Sequence, residues 1–329
     1  MSVKSGSPLL PPQHVDVLLR AAILAPSLHN SQPWAFAFGP RHVEVYADAT
    51  RQLSSADPSG RSLLVSCGAA VLNLRIAATH LALRPRVRLL PEPADATLVA
   101  LLEVDRRGRT TGDLERYYAA MPARRTNRHP FEDRAIPYPV LASLSDAARA
   151  EGAVLRVFDD QDEVARIVDL LHDADLAERA DPARLAERGQ WVGHGLRDDG
   201  IPASSIGPRP AHARSPVRDL GPLDVPRDHA AFESAPTLAV LSTAADRPLD
   251  WVRAGQALER VLLEATTAGL SASFMNQPLE QDDLRWLVRN PSTGIGHSHM
   301  ILRLGYGSPV PATPRRPLPE FTRPPRAEV

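Results

Sequence analysis

Apolar positions along this chain recur with two different periods. Val15, Leu18, Leu19 and Ala22 fall at helical spacing, whereas Trp34, Phe36 and Phe38 alternate with small residues as the inward positions of a strand do. On this pattern the first third contains a helix near 13–25, a strand over 35–46, a long helix over 60–82, and strands near 85–90 and 98–104. After Arg124 the parts resume with a helix near 138–150, a strand from Val154 to Phe158 and a helix from about Asp162. They continue with a strand from Thr237 to Ser242, a helix near 249–268, a short helix near 281–289 and a strand from His299 to Leu304. The expected class is α+β, in two halves with similar parts, over residues 1–120 and 121–329.

The likeness of the halves reaches individual residues. When Cys67 to Thr79 is laid over Ala254 to Thr266, Gly68, Ala70, Ala78 and Thr79 coincide with Gly255, Ala257, Ala265 and Thr266. Small residues at these positions let two helices approach closely, so the pair is expected to form the central packing. Between the parts of the second half lies a proline-rich stretch, about 188–229, that includes Asp198, Asp199, Gly200, Pro202 and Gly207. A connection of this length is expected to be either a lid over a site or a surface insert. A further proline-rich tail covers 308–329.

Composition narrows the chemistry. A chain of 329 residues with 43% hydrophobic content and net charge −1 can bury a large core and is not a generally basic nucleic-acid binder, so no nucleic-acid partner is expected. Met1 to Pro12 has no apolar core of signal-peptide length, and no run is expected to reach the ~20 apolar residues of a membrane span. A cytoplasmic location is expected. Cys67 is the only cysteine, which excludes internal disulfides and four-cysteine zinc or iron-sulfur sites, and it sits in an apolar helical pattern. His297 and His299 share a strand face without a carboxylate partner, so no metal site is expected. Lys4 is the only lysine, leaving no candidate in the folded body for a Schiff base or a phosphate-loop lysine.

Two clusters remain that could carry chemistry. The first is Pro26-Ser27-Leu28-His29-Asn30-Ser31-Gln32-Pro33-Trp34, a polar run at a helix-to-strand junction where backbone groups and short side chains stay free for a ligand, or simply cap a turn. His29 within it is expected to be exposed in the loop. The second is Arg124-Arg125-Thr126-Asn127-Arg128, an isolated basic cluster that suits an oxyanion or forms a solvated face. Gly305 and Gly307 make no dinucleotide fingerprint, since prolines follow instead of a helix.

The first cluster resembles the A-P-S-x-x-N-x-Q-P-W signature of nitroreductase-superfamily flavoproteins, and the second resembles the R-x-[ST]-x-[KR] opening of the same family. Gly200-Ile201-Pro202, after Asp199, resembles the lid of the Acg-type branch, whose members are single-chain and internally duplicated. This resemblance implies a nitroreductase fold, with two tandem half-repeats forming a pseudo-dimer and a lid insertion. It implies one FMN per chain: a cradle of Pro26, Ser27, Leu28, Asn30 and Gln32 in one half faces a phosphate clamp in the other. In that clamp Arg124 and Thr126 meet the phosphate and ribityl chain, with Arg125 beside them and Arg128 near the flavin pyrimidine edge. Arg316 and Arg315 close the phosphate site from the tail, and Asn276 and Gln277 are weaker contacts. A second cradle is missing, because Leu144-Ser145-Asp146-Ala147 stands where it would be. The implied activity is flavin-centred electron transfer between a small-molecule donor such as NAD(P)H and a nitro- or quinone-like acceptor. No side-chain acid or base is assigned, and a monomer is expected rather than an obligate homodimer. A lid-closed FMN-sequestering protein and a flavin oxidase or desaturase are the alternatives.

Overall fold

Pro12 opens the first helix at a position whose N–H would be unpaired in any case. The helix, α1 (Pro12–Ala22), turns Leu18, Leu19, Ala21 and Ala22 inward. In the computed structural model the described residues are 10–106, 113–158, 160–193, 197–212, 215–221, 226–289 and 296–326. Lys4, the end of the tail (327–329) and parts of the long insert (194–196, 213–214, 222–225) lie outside them. The strand expected over 35–46 is two strands, β1 (Trp34–Phe38) and β2 (His42–Ala47), paired antiparallel. Gly39-Pro40 breaks the run, since proline fixes its own φ and donates no hydrogen bond, and the Gly39 N–H closes the turn on the His42 carbonyl at 2.9 Å.

The long helix α2 (Arg61–His80) and strands β3 (Leu83–Leu89) and β4 (Leu98–Arg106) complete the first half. The second half runs through α3 (Tyr138–Arg149), β5 (Val154–Val157), α4 (Gln161–Ala180), α5 (Pro182–Trp191), β6 (Arg209–Pro210), β7 (His229–Ala230), β8 (Thr237–Thr243), α6 (Pro248–Thr267), β9 (Ser271–Phe274), α7 (Asp282–Arg285) and β10 (His297–Gly305). Two four-stranded antiparallel sheets result, ordered β1-β2-β4-β3 and β5-β8-β10-β9. Counted within its own half, each sheet has the same strand order, with a long helix between its second and third strands. Two further features depart from the pattern reading. Strand β9 is short and rich in serine and takes its form from pairing with β10, and α5 reaches into the stretch expected as irregular, while Leu144 to Ala147 lie inside α3 as the helix expected near 138–150 requires.

Helices α2 and α6 cross backbone against backbone. A Cβ on Gly68 would stand 2.1 Å from the Val252 carbonyl oxygen, and one on Gly255 would stand 2.0 Å from that of Val65. Each of those valines precedes the other helix's partner glycine by one turn, and each is buried in the opposite half's core, Val65 in the second and Val252 in the first. Helix α2 is long and apolar enough to cross a membrane by length and composition, with a mean hydropathy of 1.5, which corrects the expectation that no run would qualify. Its apolar window is 83% buried inside the protein, as expected of a helix that is hydrophobic all round and central to a core.

After β10 the chain returns to the first half. Phe321 is buried in the first core, Thr322 bridges Phe36, and the Arg323 N–H bonds the Phe36 carbonyl at 2.9 Å, covering the otherwise open edge of β1. This return carries Arg315 and Arg316 past residues 23–32.

Gly68→Ala or Gly255→Ala should therefore destabilise the protein by at least about 2 kcal/mol in urea unfolding, because the methyl meets backbone that cannot step aside. Gly189→Ala, in α5 with nothing within 4 Å of its would-be Cβ, should be neutral or mildly stabilising in the same measurement.

Candidate functional site

The link from α1 to β1 holds an unusual run of backbone. His29, Asn30 and Gln32 have φ of 46°, 57° and 52°, a left-handed region that costs a non-glycine residue about 1–2 kcal/mol and that asparagine bears best. The surroundings hold this conformation in place. Ser27 Oγ accepts from the Gln32 N–H at 2.9 Å. Asn30 Nδ2 donates to the Gly200 and Pro314 carbonyls at 2.9 and 3.1 Å, and Gln32 Nε2 to the Asp198 carbonyl at 3.0 Å. The turn is thus gripped by the tail on one side and by the segment 197–221 on the other.

Beside it lies a cavity of about 1130 Å³, its open mouth included. Pro26, Ser27, Leu28, His29 and Asn30 form one wall, and Arg124, Arg125, Thr126 and Arg128 another. Asn276 and Arg315 also reach it. Three residues expected there stand off the walls. Gln32 is fully buried and its Oε1 accepts from the Arg316 N–H at 3.0 Å. Arg316 donates to the Gln32 carbonyl at 3.0 Å and stacks over Phe321, and Gln277 turns to Asp175 at 3.2 Å. These residues brace the site from behind. Their polar heads meet backbone or a neighbouring carboxylate, which a motif cannot reveal.

Other wall residues carried little signal in the sequence. Ser62 and Ser66 sit one turn apart on α2, and Ser66 Oγ, bonded to the Ser62 carbonyl at 2.7 Å, accepts from the Leu28 N–H at 3.4 Å. Their i, i+4 spacing on an otherwise apolar helix was the available hint. Phe274 and Met300 come from the second sheet, and Ile201, Arg218 and Leu220 from the overlying segment. Arg218 is buried and pairs with Glu280 at 2.7 Å and Glu178 at 3.1 Å, which ties that segment to α4 and to the turn before α7. The two carboxylates raise its pKa against the opposing effect of burial.

Positive charge gathers at one end. Arg315 is spent on the carbonyls of Leu24 and Ala25 at 3.2 and 3.3 Å and on Asn30 Oδ1 at 3.0 Å. Burial, with Arg124 and Arg125 nearby, pushes its pKa down to about 9. Arg124 donates to the Leu24 carbonyl at 3.1 Å, while its Nε and Nη1, buried, have no hydrogen-bond partner among the described residues. Glu259 Oε2 is 3.6 Å from Arg124 Nε. That carboxylate is fully buried, and burial pushes its pKa up to about 7 in spite of Arg124, Asn73 and Arg315. Arg128, further along, donates to the Ser205 carbonyl at 3.0 Å, and desolvation with Arg218 nearby lowers its pKa to about 10. Two guanidiniums, Arg124 and Arg315, facing one weakly ionised carboxylate, with Arg125 nearby, make a place for an oxyanion.

The sequence model for the nitroreductase family matches residues 122–306, which include the arginine cluster, both α6 and the whole second sheet. This chain belongs to the nitroreductase family. A Mycobacterium tuberculosis relative named NAD(P)H nitroreductase is 33% identical over 92% of this chain and 89% of its own length. A second from that organism, named NAD(P)H nitroreductase acg, is 30% identical over 92% of this chain and 93% of its own. Among solved structures, the FMN-dependent nitroreductase NfnB from Mycobacterium smegmatis, in complex with NADPH, is 17% identical, covers 65% of this chain and 100% of its own, and has a TM-score of 0.43.

For this nitroreductase-family chain the buried carboxyl behind the arginines sets a pH dependence. Glu259 holds its proton more tightly folded, at about 7, than at its ordinary 4.5, so its contribution to stability is complete below pH 4.5 and is lost as pH rises through about 7. The loss is on the order of 3 kcal/mol. In thermal melts Glu259→Gln, which cannot ionise, should gain on the wild type as pH is raised across that window; parallel curves would show that the carboxyl does not titrate there.

Proposed function

We propose that this chain is an FMN-dependent oxidoreductase that takes reducing equivalents from NAD(P)H and passes them to a small nitro- or quinone-like acceptor. The observation that carries the reading is the meeting of the Pro26–Asn30 turn with Arg124, Arg125, Thr126, Arg128 and Arg315 across one cavity. The names of the relatives support the nicotinamide donor, and NfnB supports the cofactor.

The residues fit the group. Arg124 offers two buried donors without hydrogen-bond partners among the described residues, and with Arg125, Arg315 and the Thr126 hydroxyl it would hold a phosphate and the chain attached to it. Leu28, Val65, Leu258, Phe274 and Met300 would supply apolar walls for a planar ring, with Ser27 and Asn276 as polar contacts. Bound FMN supplies the hydride acceptance and release. Arg128 would offer the ring a fixed cation, and Ile201 and Leu220 would keep water away from it.

One site per chain follows in this reading. The two sheets of equal order and the reciprocal glycine crossing are read as tandem half-repeats meeting near residue 120, a pseudo-dimer in one chain. In the second half the turn after α3 is short, and Glu151 fills the corresponding corner by pairing with Arg75 at 2.5 Å and Arg260 at 2.9 Å. The segment 197–221 serves as a lid. Its buried Arg218 anchor and the Gly200–Asn30 bonds favour a second reading, in which a closed lid sequesters FMN without turnover.

Titration with FMN should reach one equivalent per chain, and the double change Arg124→Ala, Arg128→Ala should weaken binding at least ~100-fold, since each charge-assisted bond is worth about 1.5–3 kcal/mol. Anaerobic bleaching by NADPH or NADH marks the enzyme, and a loaded protein that neither nicotinamide bleaches is the sequestering form. A chain that takes up no FMN contradicts both.

A further inference from the structure

His29 combines two unfavourable features. Its φ of 46° puts a ring-bearing residue in the left-handed region, and its imidazole, 7% exposed, has neither nitrogen hydrogen-bonded among the described residues. Each feature is destabilising unless something offsets it. A leucine at this position would remove the second cost, so the ring is best explained by a partner that enters the cavity it lines.

The surroundings define that partner. Apolar contacts come from Leu28 beside the ring and from Ile201 and Leu220 in the overlying segment. The charged groups that bear on it are Arg218, Glu178, Arg128 and Arg188, and burial together with the arginines lowers its pKa to about 3. The imidazole is therefore neutral at pH 7 and offers one N–H donor and one lone pair. Arg218 is neutralised by Glu280 and Glu178, Arg188 lies 3.3 Å from Glu178, and the third arginine, Arg128, donates to the Ser205 carbonyl at 3.0 Å and serves the cofactor in the oxidoreductase reading. With Arg128 taken by the cofactor, a mostly apolar pocket with one spare donor suits an uncharged molecule with a hydrogen-bond acceptor.

We propose that the His29 ring N–H donates a hydrogen bond to a carbonyl oxygen of a planar, uncharged electron acceptor of quinone type, bound between the Pro26–Asn30 turn and the segment that carries Ile201 and Leu220. This rests on the oxidoreductase reading of the cavity. Thr126, Arg124 and Arg125 serve the cofactor in that reading, and His29 serves its reaction partner. The bond strengthens as electron density builds on the oxygen, so His29 favours the reduced direction of that partner over mere occupancy.

The test uses the full chain, oxidised and without reductant, and menadione as the probe. Binding is read from perturbation of the flavin absorption band and, independently of flavin, from quenching of tryptophan fluorescence. His29→Leu removes the donor, and His29→Asn keeps an N–H donor on a residue that tolerates the left-handed backbone. His29→Leu should weaken menadione binding about tenfold, the equivalent of one hydrogen bond, while His29→Asn recovers most of the loss and both bind FMN as the wild type does. Menadione affinity unchanged in His29→Leu overturns the proposal, as does a wild type that does not bind menadione. A fall in FMN affinity with menadione binding unaltered also overturns it, because the ring then serves the cofactor. Failure of the wild type to bind FMN overturns the oxidoreductase reading itself, a result distinct from all of these.

Discussion

The crossing of α2 and α6 at Gly68 and Gly255 is the contact on which the other distances in this molecule depend. With the two backbones touching, each helix delivers a valine into the other half's core, and neither sheet can shift without opening both cores. The cavity is built on the flanks of the same crossing. Ser62, Val65 and Ser66 stand within two turns before Gly68 on α2, and Leu258 follows Gly255 by one turn on α6. A side chain at either glycine would therefore push apart two walls of the site as well as two cores, which couples the fold's tightest packing to the geometry of its binding surface.

Charge is handled differently at the two ends of that surface. Beneath the overlying segment, Arg218 meets Glu280 and Glu178, so a buried cation is balanced by carboxylates and the contact anchors the segment to the body. At the other end Arg124 and Arg315, with Arg125 beside them, act on Glu259, whose own burial resists ionisation. Arg315 leans on carbonyls of residues 23–25 instead, which are weaker partners than an anion would be. The lowered pKa of Arg315 records the same imbalance.

Much of this site could be read from local spacing. Pro26 to Asn30 and Arg124 to Arg128 are short contiguous runs whose residue types state their chemistry, and both reach the cavity. Helix periodicity located α1, α2, α3 and α6 to within a few residues, and the shared Gly-x-Ala pattern pointed to the close crossing. The misreadings have equally specific causes. Gly39-Pro40 split a strand that looked continuous by alternation alone, and Gln32, Gln277 and Arg316 turned their heads to backbone or to Asp175. His29 was expected in solvent because it lies in a loop, yet the segment 197–221 and the tail close over that loop and leave it buried. Helix α2 passed a membrane criterion because a helix surrounded by two cores and a helix surrounded by lipid are apolar for the same reason.

The sequence by itself determined the local elements and the residue types of the Pro26–Asn30 turn and the Arg124–Arg128 cluster, because these depend on neighbours within a few positions. Tertiary structure alone decided which of them meet. Arg124 reaches the Leu24 carbonyl from a hundred positions away, Arg218 finds Glu280 across sixty-two, and Arg315 returns to the first turn of the cradle across nearly the whole chain. Such pairings are set by how two cores lock together at a pair of glycines, and that depends on the whole packed volume, which no stretch of sequence contains.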